Sequence, residues 1–525
     1  MRSRSAFDFT DSGIPVVDLF AGPGGLGEGF SSVHREGLRG FRVALSVERE
    51  AQAHETLLLR SFLRQFPDNQ APDDYYELAH AGQDARQELY SRHQVEAETA
   101  RTEARQAELG VIDPATVDGW IERALRGRKA WVLVGGPPCQ AYSLVGRARN
   151  RGKQGYCPED DARHFLYREY LRIIERHWPP VFVFENVKGL LSARIDGNLI
   201  FGQILDDLSQ PSVGAGSGKR YRYKIHSLIV PTTYDDVGCD RSHFVVKAED
   251  YGIPQARHRI LLLGVREDVG ARAKPGVLER SSDIVSVASA LRGLPPLRSR
   301  LSRQVDGSDE WLAALQENRS LRWMHEPGDV AEMGLSVLEH AQSPSAEAGA
   351  DAISWDSTED APCLADWFID GRAHAVYNHS ARGHRRDDLQ RYFFAACYAA
   401  THRVSPVLSK FPSELLPAHA NVQQAVTHGH FSDRFRVQVS GRPATTITSH
   451  IAKDGHYFIH PDPAQCRSLT VREAARIQTF PDNYIFCGGR TAQYIQVGNA
   501  VPPLLARQIA EVVLQLLERA KLAGQ

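Results

Sequence analysis

The sequence predicts an α/β fold whose sheet is assembled from both ends of the chain, with a second domain inserted between them. Three observations predict it. Short apolar runs alternate with helical stretches up to residue 265, the pattern of strand–helix–strand units. The first run leads into a turn with five glycines between residues 21 and 29. The pattern disappears at about residue 267 and returns at 467.

Taken in order, residues 14–20 form the first strand and 41–47 the second, which ends at Glu48. Residues 83–129 are charged, Ala-rich and Gln-rich, with no strand signal. They predict an inserted helical hairpin over about 85–129, broken at Asp113-Pro114. Residues 131–134 form a buried strand that runs into Gly135-Gly136-Pro137-Pro138-Cys139-Gln140. A helix over 165–176 follows, then a strand over 181–184 ending in Glu185-Asn186. Residues 209–219 are a Gly/Ser loop, and 225–230 and 260–265 are further strands. Residues 267–465 are rich in Arg, His, Pro and Trp, with a helix at 389–401 and a loop at 343–352. Strand–helix patterning resumes at 467–480 and closes with an amphipathic helix over 504–520. The expected division is 1–265 and 467–525 for the sheet domain and 266–466 for the inserted one.

Composition narrows the function classes. With 525 residues, 42% hydrophobic and 24% charged, the chain is long enough to bury several cores. The apolar runs are too short to span a bilayer, and no apolar segment follows the basic start, so a cytoplasmic protein is expected. The seven cysteines are an odd number and none form Cys-x-x-Cys, which argues against a disulfide framework and a zinc ribbon. Net charge is −2, so any polyanion must be met by a local positive field. His374, His379 and His384 are evenly spaced, but no cysteine or carboxylate completes a metal set, and no metal is expected.

Four stations carry chemistry. Gly22-Pro23-Gly24-Gly25-Leu26-Gly27 after a strand, with Glu48 at the end of the next, fits a nucleotide-binding turn. Dehydrogenases, flavoproteins and methyltransferases share that feature. Cys139 follows two glycines and two prolines at the carboxyl end of a strand, where open α/β sheets bind ligands. Glu185 ends the next strand and faces the same crevice, where a partly dry carboxyl can hold a proton. Arg257 and Arg259, two apart on a strand, point to one face and can serve one ligand.

Taken together the stations are recognisable. Asp18-Leu19-Phe20-Ala21-Gly22, Glu48, Gly136-Pro137-Pro138-Cys139-Gln140, Glu185-Asn186-Val187 and Gln255-x-Arg257-x-Arg259 come in order. Arg467 through Arg476 with Phe480-Pro481-Asp482, and Gln496-Val497-Gly498-Asn499-Ala500-Val501-Pro502, complete the series. This set resembles the ordered motifs of DNA cytosine-5 methyltransferases over about residues 14–265 and 467–518. The resemblance implies a class I SAM-dependent methyltransferase fold, a Rossmann-like mixed sheet, with an inserted target-recognition domain.

It also implies the chemistry. Cys139 would add as thiolate to C6 of cytosine and make C5 nucleophilic. Glu185 would bond N3 and the exocyclic amine, Arg259 would reach O2, and Arg257 would support them. The target base must be flipped out of the duplex. S-adenosyl-L-methionine would be held by Phe20, Gly22, Gly24, Leu26, Glu48, Pro137, Asn499 and Val501. Asp84, in Ala81-Gly82-Gln83-Asp84, is the nearest match to the acid that the family places near its third strand to bind the adenine amine.

Double-stranded DNA is the implied partner. Gln140 and the dense positive stretch Arg147, Arg149, Arg151 and Lys153 suit a flap closing on phosphates. Arg298, Arg300, Arg382, Arg385 and Arg386 are expected to contact DNA from the inserted domain. Enzymes of this build accompany restriction or other anti-phage defence proteins. A tRNA cytosine methyltransferase of the same fold, or a non-catalytic DNA-binding relative, would share much of this pattern.

Overall fold

The computed structural model describes residues 13–67, 70–138, 166–195, 198–211, 221–355, 361–418, 422 and 433–522. Its centre is a mixed eight-stranded sheet. The strands are β1 (Ile14–Leu19), β2 (Phe41–Glu48), β3 (Ala104–Gln106), β4 (Val132–Gly135), β5 (Val181–Val187), β6 (Tyr223–His226), β7 (Val245–Lys247) and β8 (His258–Arg266). They lie in the order β6-β8-β5-β4-β1-β2-β3, with β7 also pairing β8. From β5 to β3 the neighbours are parallel, whereas β6 and β7 pair antiparallel with β8, and β8 with β5.

Period-two alternation sends successive side chains to opposite faces. Val16, Val132, Val181, Val183 and Leu261 enter one apolar core, and Val17, Leu19, Leu133, Phe182 and Phe184 the other. The first core is closed by α1 (Gly25–Ser31) and by a late helix described below, the second by α5 (Pro114–Leu125), α6 (Leu166–His177) and α7 (Ile200–Ser209). Asp113 caps α5, accepting from the Ala115 N–H at 3.2 Å, with Pro114 at the first helical position. Asp113-Pro114 therefore starts the crossover helix to β4 and does not break a hairpin.

The segment expected to be wholly helical is not. After α2 (Ala51–Leu63), α3 (Gln83–Arg92) and α4 (Gln94–Glu103) form the insertion, and the chain then joins the sheet as β3. Three residues of β3 pair with Ser46, Val47 and Glu48. A strand this short and polar has no periodicity to read.

Residues 301–466 hold a core of their own, built on α8 (Ser308–Gln316), α9 (Asp329–Glu339) and α10 (Arg386–His402). A fourth cluster joins Val287, Leu291, Ala444, Ile447 and Phe458 to the last part of the chain, α11 (Val471–Ile477) and α12 (Arg490–Asn499). The final helix, α13 (Pro503–Arg519), lies on α1. The stretch Arg490–Arg519 is apolar and long enough to pass for a membrane span, but 72% of its most apolar 18-residue window is buried in the protein, and it is two helices.

The contact of α1 with α13 depends on glycine. A Cβ on Gly25 would stand 2.3 Å from the Val501 carbonyl oxygen. One on Gly29 would stand 2.4 Å from Ala506 Cβ and the Pro503 oxygen. Gly29 serves the packing of α1 on α13, and Gly25 the approach of the turn at Val501 that precedes it. Gly29→Ala should destabilise the fold by about 1–3 kcal/mol, because backbone must move to admit the methyl. A urea midpoint unchanged from wild type would show that the helices separate freely.

Candidate active site

Strand register brings the site together. Val47, Leu19, Gly135 and Phe184 are paired across four adjacent strands. The next residue of each strand is therefore Glu48, Phe20, Gly136 or Glu185, all at the carboxyl edge where open α/β sheets bind ligands. A Cβ on Gly136 would stand 2.7 Å from Glu185 Oε2 and would push that carboxylate from its place. The Asn186 amide donates to the Pro137 carbonyl at 3.1 Å, which fixes the turn leaving β4 against β5.

Glu185 accepts from Arg259 Nε at 3.1 Å, and both side chains are mostly buried. Antiparallel pairing of β5 with β8 sets this contact, with Val187 opposite Arg259 and Glu185 opposite Leu261. Burial lowers the Arg259 pKa against the pull of Glu185. Arg257 is buried more deeply. Its Nη1 donates to the Ile447 oxygen at 2.9 Å and the Gly498 oxygen at 3.3 Å. Burial, with Arg259 adding to it, lowers its pKa further. Arg257 thus ties β8 to the 444–449 segment and to the end of α12. Gln255 adds to this junction, its Oε1 accepting the Ile447 N–H at 2.7 Å.

The glycine turn is equally specific. Phe20, Gly22 and Gly24 all have positive φ, at 57°, 57° and 98°. Over Gly22 nothing lies within 4 Å of the Cβ position, so the turn is open there. Glu48 Oε2 accepts the Gly22 N–H at 2.8 Å and Oε1 the Glu50 N–H at 2.7 Å. Each oxygen keeps acceptor capacity for a hydroxyl. Gly24 faces inward, with Leu57 Cδ1 and Tyr484 Oη at 2.9 Å from its Cβ position. The side chains of Leu26 and Val501 lie in the first apolar core, and Asn499 is exposed at the end of α12. Asp18 is fully buried under the turn, with Oδ2 accepting the Gly27 N–H at 3.2 Å. Burial raises its pKa to about 7.

The sequence profile of the C-5 cytosine-specific DNA methylases matches residues 120–330 and 370–515, well over half of the chain. The chain belongs to this family. The type II methyltransferase M.Bpa9945I of Bacillus paralicheniformis is 32% identical over 96% of this chain and 99% of its own length. The type II methyltransferase M.AgeI of Thalassovita gelatinovora is 26% identical over 95% and 99%. The DNA (cytosine-5-)-methyltransferase M.ApeKI of Aeropyrum pernix is 24% identical over 80% and 87%. In fold the methylase is similar to an E. coli prophage protein described as a DNA modification methyltransferase. That structure has a TM-score of 0.50, 19% identity, and coverage of 96% and 99%.

Several expected site residues of this methylase lie outside the described residues: Cys139, Gln140, Arg147, Arg149, Arg151 and Lys153. Asp84 is misplaced by the sequence reading. It sits exposed in the first turn of α3, away from any strand end. The third strand ends instead at Gln106, opposite Glu48, and Glu108 just beyond it pairs with Arg49 at 2.9 Å. No sequence signal marked them.

Two of the arginines assigned to DNA are internal. Arg298 is buried and pairs with Asp306 at 2.8 Å and Glu347 at 3.0 Å. Arg382 is buried, donating to the Ile451 oxygen at 2.8 Å with its guanidinium 4.5 Å from the Tyr494 ring. Charge on a sequence does not say which way a side chain turns. Arg300, Arg385 and Arg386 keep exposed side chains, with partners in Asp306, Asp387 and Glu317.

His379 and His384 are buried, bonded to Thr470 Oγ1 at 2.9 Å and Ser468 Oγ at 3.1 Å. Among the described residues no cluster of His, Cys, Asp or Glu is placed to hold a metal. The Arg467–Arg476 motif is also internal. Arg467 grips Glu473, Arg476 grips Asp482, and Arg472 donates to the oxygens of Tyr377, Pro481 and Tyr484.

Proposed function

We propose that this methylase transfers a methyl group from S-adenosylmethionine to C5 of a cytosine flipped out of a specific duplex site, through a covalent bond from Cys139 to C6. Residues 266–466 would act as its target-recognition domain. The observation that carries the reading is the Glu185–Arg259 pair, seated over Gly136 of the strand that runs on into Cys139.

The residues at the glycine turn fit the cofactor. Open space over Gly22 and a carboxylate held beside it suit a nucleoside with a ribose diol. Phe20, Gly22, Glu48 and Pro137 would hold it, with Gln106 and Glu108 in place of Asp84 on the adenine side. S-adenosylmethionine supplies an electrophilic methyl group when bound.

The chain's own work falls on the base. Attack of the Cys139 thiolate at C6 pushes electrons toward N3 and O2. Glu185 can hold a proton at N3 and accept from the exocyclic amine, and Arg259 can place positive charge at O2. Both are largely shielded from water, where such donors act most strongly. Arg257 is pinned by carbonyls and positions β8 without reaching the base. Loss of the C5 proton and departure of Cys139 finish the cycle. Arg300, Arg385 and Arg386, with the 147–153 stretch, would meet phosphates. The relatives' type II naming supports a partnership with a restriction enzyme.

A duplex bearing 5-fluorocytosine at the target tests the covalent step, because fluorine cannot leave C5 as a proton does. The wild type with S-adenosylmethionine should form a complex that survives denaturing electrophoresis, and Cys139→Ala should form none. Trapping by Cys139→Ala, or methylation of tRNA in preference to duplex DNA, would overturn the reading.

A further inference from the structure

Apart from Asp84, the sequence offers no role for residues 70–103, and the structure supplies one. Residues 70–103 lie on α2 and share an apolar cluster with Tyr377, Ile485 and Cys487. They therefore touch both the 266–466 region and the last part of the chain. Asp370 is at the middle of this contact. Its Oδ2 accepts from Tyr76 Oη at 2.5 Å and from Asn483 Nδ2 at 2.7 Å, and its Oδ1 accepts the Arg372 N–H at 3.0 Å.

The surroundings reinforce it. Arg372 donates to the Ala71 carbonyl and pairs with Asp73, and its guanidinium lies 5.7 Å from the Tyr76 ring. Tyr377 Oη donates to the Tyr76 carbonyl at 3.1 Å. Asn378 exchanges two hydrogen bonds with the Phe486 backbone, at 3.0 and 2.9 Å. On the catalytic side, Asn483 is held by Arg60 at 2.9 Å, and Arg60 is paired with Glu28 of α1. That last pair does not depend on Asp370.

The 266–466 region also meets the last part of the chain along a broad seam, through Val287, Leu291, Ala444 and Ile447 and through the contacts of Leu297, Tyr377, His379 and His384 with residues 467–473. Residues 70–103 add an attachment to a separate segment of the chain, made of charge-assisted hydrogen bonds to Asp370 and Arg372. A duplex gripped between the two parts needs them at a fixed separation, and small errors of placement are costly in rate.

We propose that Asp370 is a positioning residue: with residues 70–103 as a brace, it fixes the orientation of the 266–466 region over the catalytic sheet and so governs engagement of duplex DNA. This rests on the function proposed above. It assigns the brace no part in binding S-adenosylmethionine or in the chemical step.

The test compares the full-length wild type with Asp370→Ala, Asp370→Asn and Tyr76→Phe. The readouts are DNA KM, kcat at saturating DNA and S-adenosylmethionine Kd by calorimetry. Asp370→Ala should raise the DNA KM about tenfold, leaving kcat and cofactor Kd within about twofold. Asp370→Asn, which keeps an acceptor oxygen for Tyr76, should recover most of the loss. If Asp370→Ala fails to fold, Tyr76→Phe carries the test, with a KM rise of about threefold expected from one lost hydrogen bond. A folded variant with unchanged DNA KM overturns the proposal, and so does cofactor affinity falling in step with KM. Should the wild type itself leave duplex DNA unmethylated, the functional reading fails instead. The brace is then judged by limited proteolysis, where faster cleavage of residues 365–380 in Asp370→Ala supports it and equal cleavage rejects it.

Discussion

Glu185→Gln should lower kcat by about 10²–10³-fold while S-adenosylmethionine still binds. The amide fills the same space over Gly136 and leaves the register of β5 and β8 intact. It cannot hold a proton at N3 of an attacked cytosine as a carboxyl can, and it removes the negative partner 3.1 Å from Arg259 Nε. Both losses are felt as charge builds on the ring. The comparison requires matched folding, read from urea midpoints, and matched cofactor Kd. Activity within about threefold of wild type in a folded, cofactor-binding variant would remove Glu185 from the chemistry.

The second large effect is on stability. Glu473 is buried and accepts from Arg467 Nη1 and Nη2 at 2.7 and 2.6 Å and from the Thr470 N–H at 2.7 Å. Burial alone would raise its pKa, but Arg467, then His460 and His379, hold it well below the usual carboxylate range. Arg467 also donates to the Leu297 carbonyl at 3.1 Å, so the pair links the 266–466 region to α11. Glu473→Ala leaves a buried guanidinium without its counter-charge, and the expected loss is about 3–5 kcal/mol. Equilibrium urea unfolding measures it, provided the transition is cooperative. A loss under about 1 kcal/mol would mean that water reaches Arg467 and replaces the carboxylate.

Much of the architecture could be read from the residues because long, apolar elements carry their own period. β1, β5 and β8 stand where the alternation and the apolar runs place them, and Glu185 pairs with Arg259 across them, whereas Arg257 lies just before β8 and turns to the Ile447 and Gly498 carbonyls. What escaped was written in tertiary contacts. β3 is three residues long and polar, so residue patterning points to Asp84 rather than to Ala104–Gln106 for the third strand. Arg298 and Arg382 look like surface cations until their carboxylate, carbonyl and aromatic partners are seen. Gly25 and Gly29 read as part of a ligand-binding turn, yet the far end of the chain is what requires them, the turn at Val501 for Gly25 and α13 for Gly29. The Asp370 contacts join residues about 300 positions apart, a separation at which local patterning carries no information.

The close seating of α1 on α13 also has a consequence in time. A ribosome makes Ala506 nearly five hundred residues after Gly25. Until that stretch has emerged, Leu26 and Phe30 lack the part of their apolar core that Val501, Leu505, Ala506 and Ile509 supply. A nascent or truncated chain that lacks α13 therefore carries every upstream motif without the helix that closes the apolar core beneath the glycine turn, and should gain competence to modify DNA only once residues 503–519 have left the ribosome.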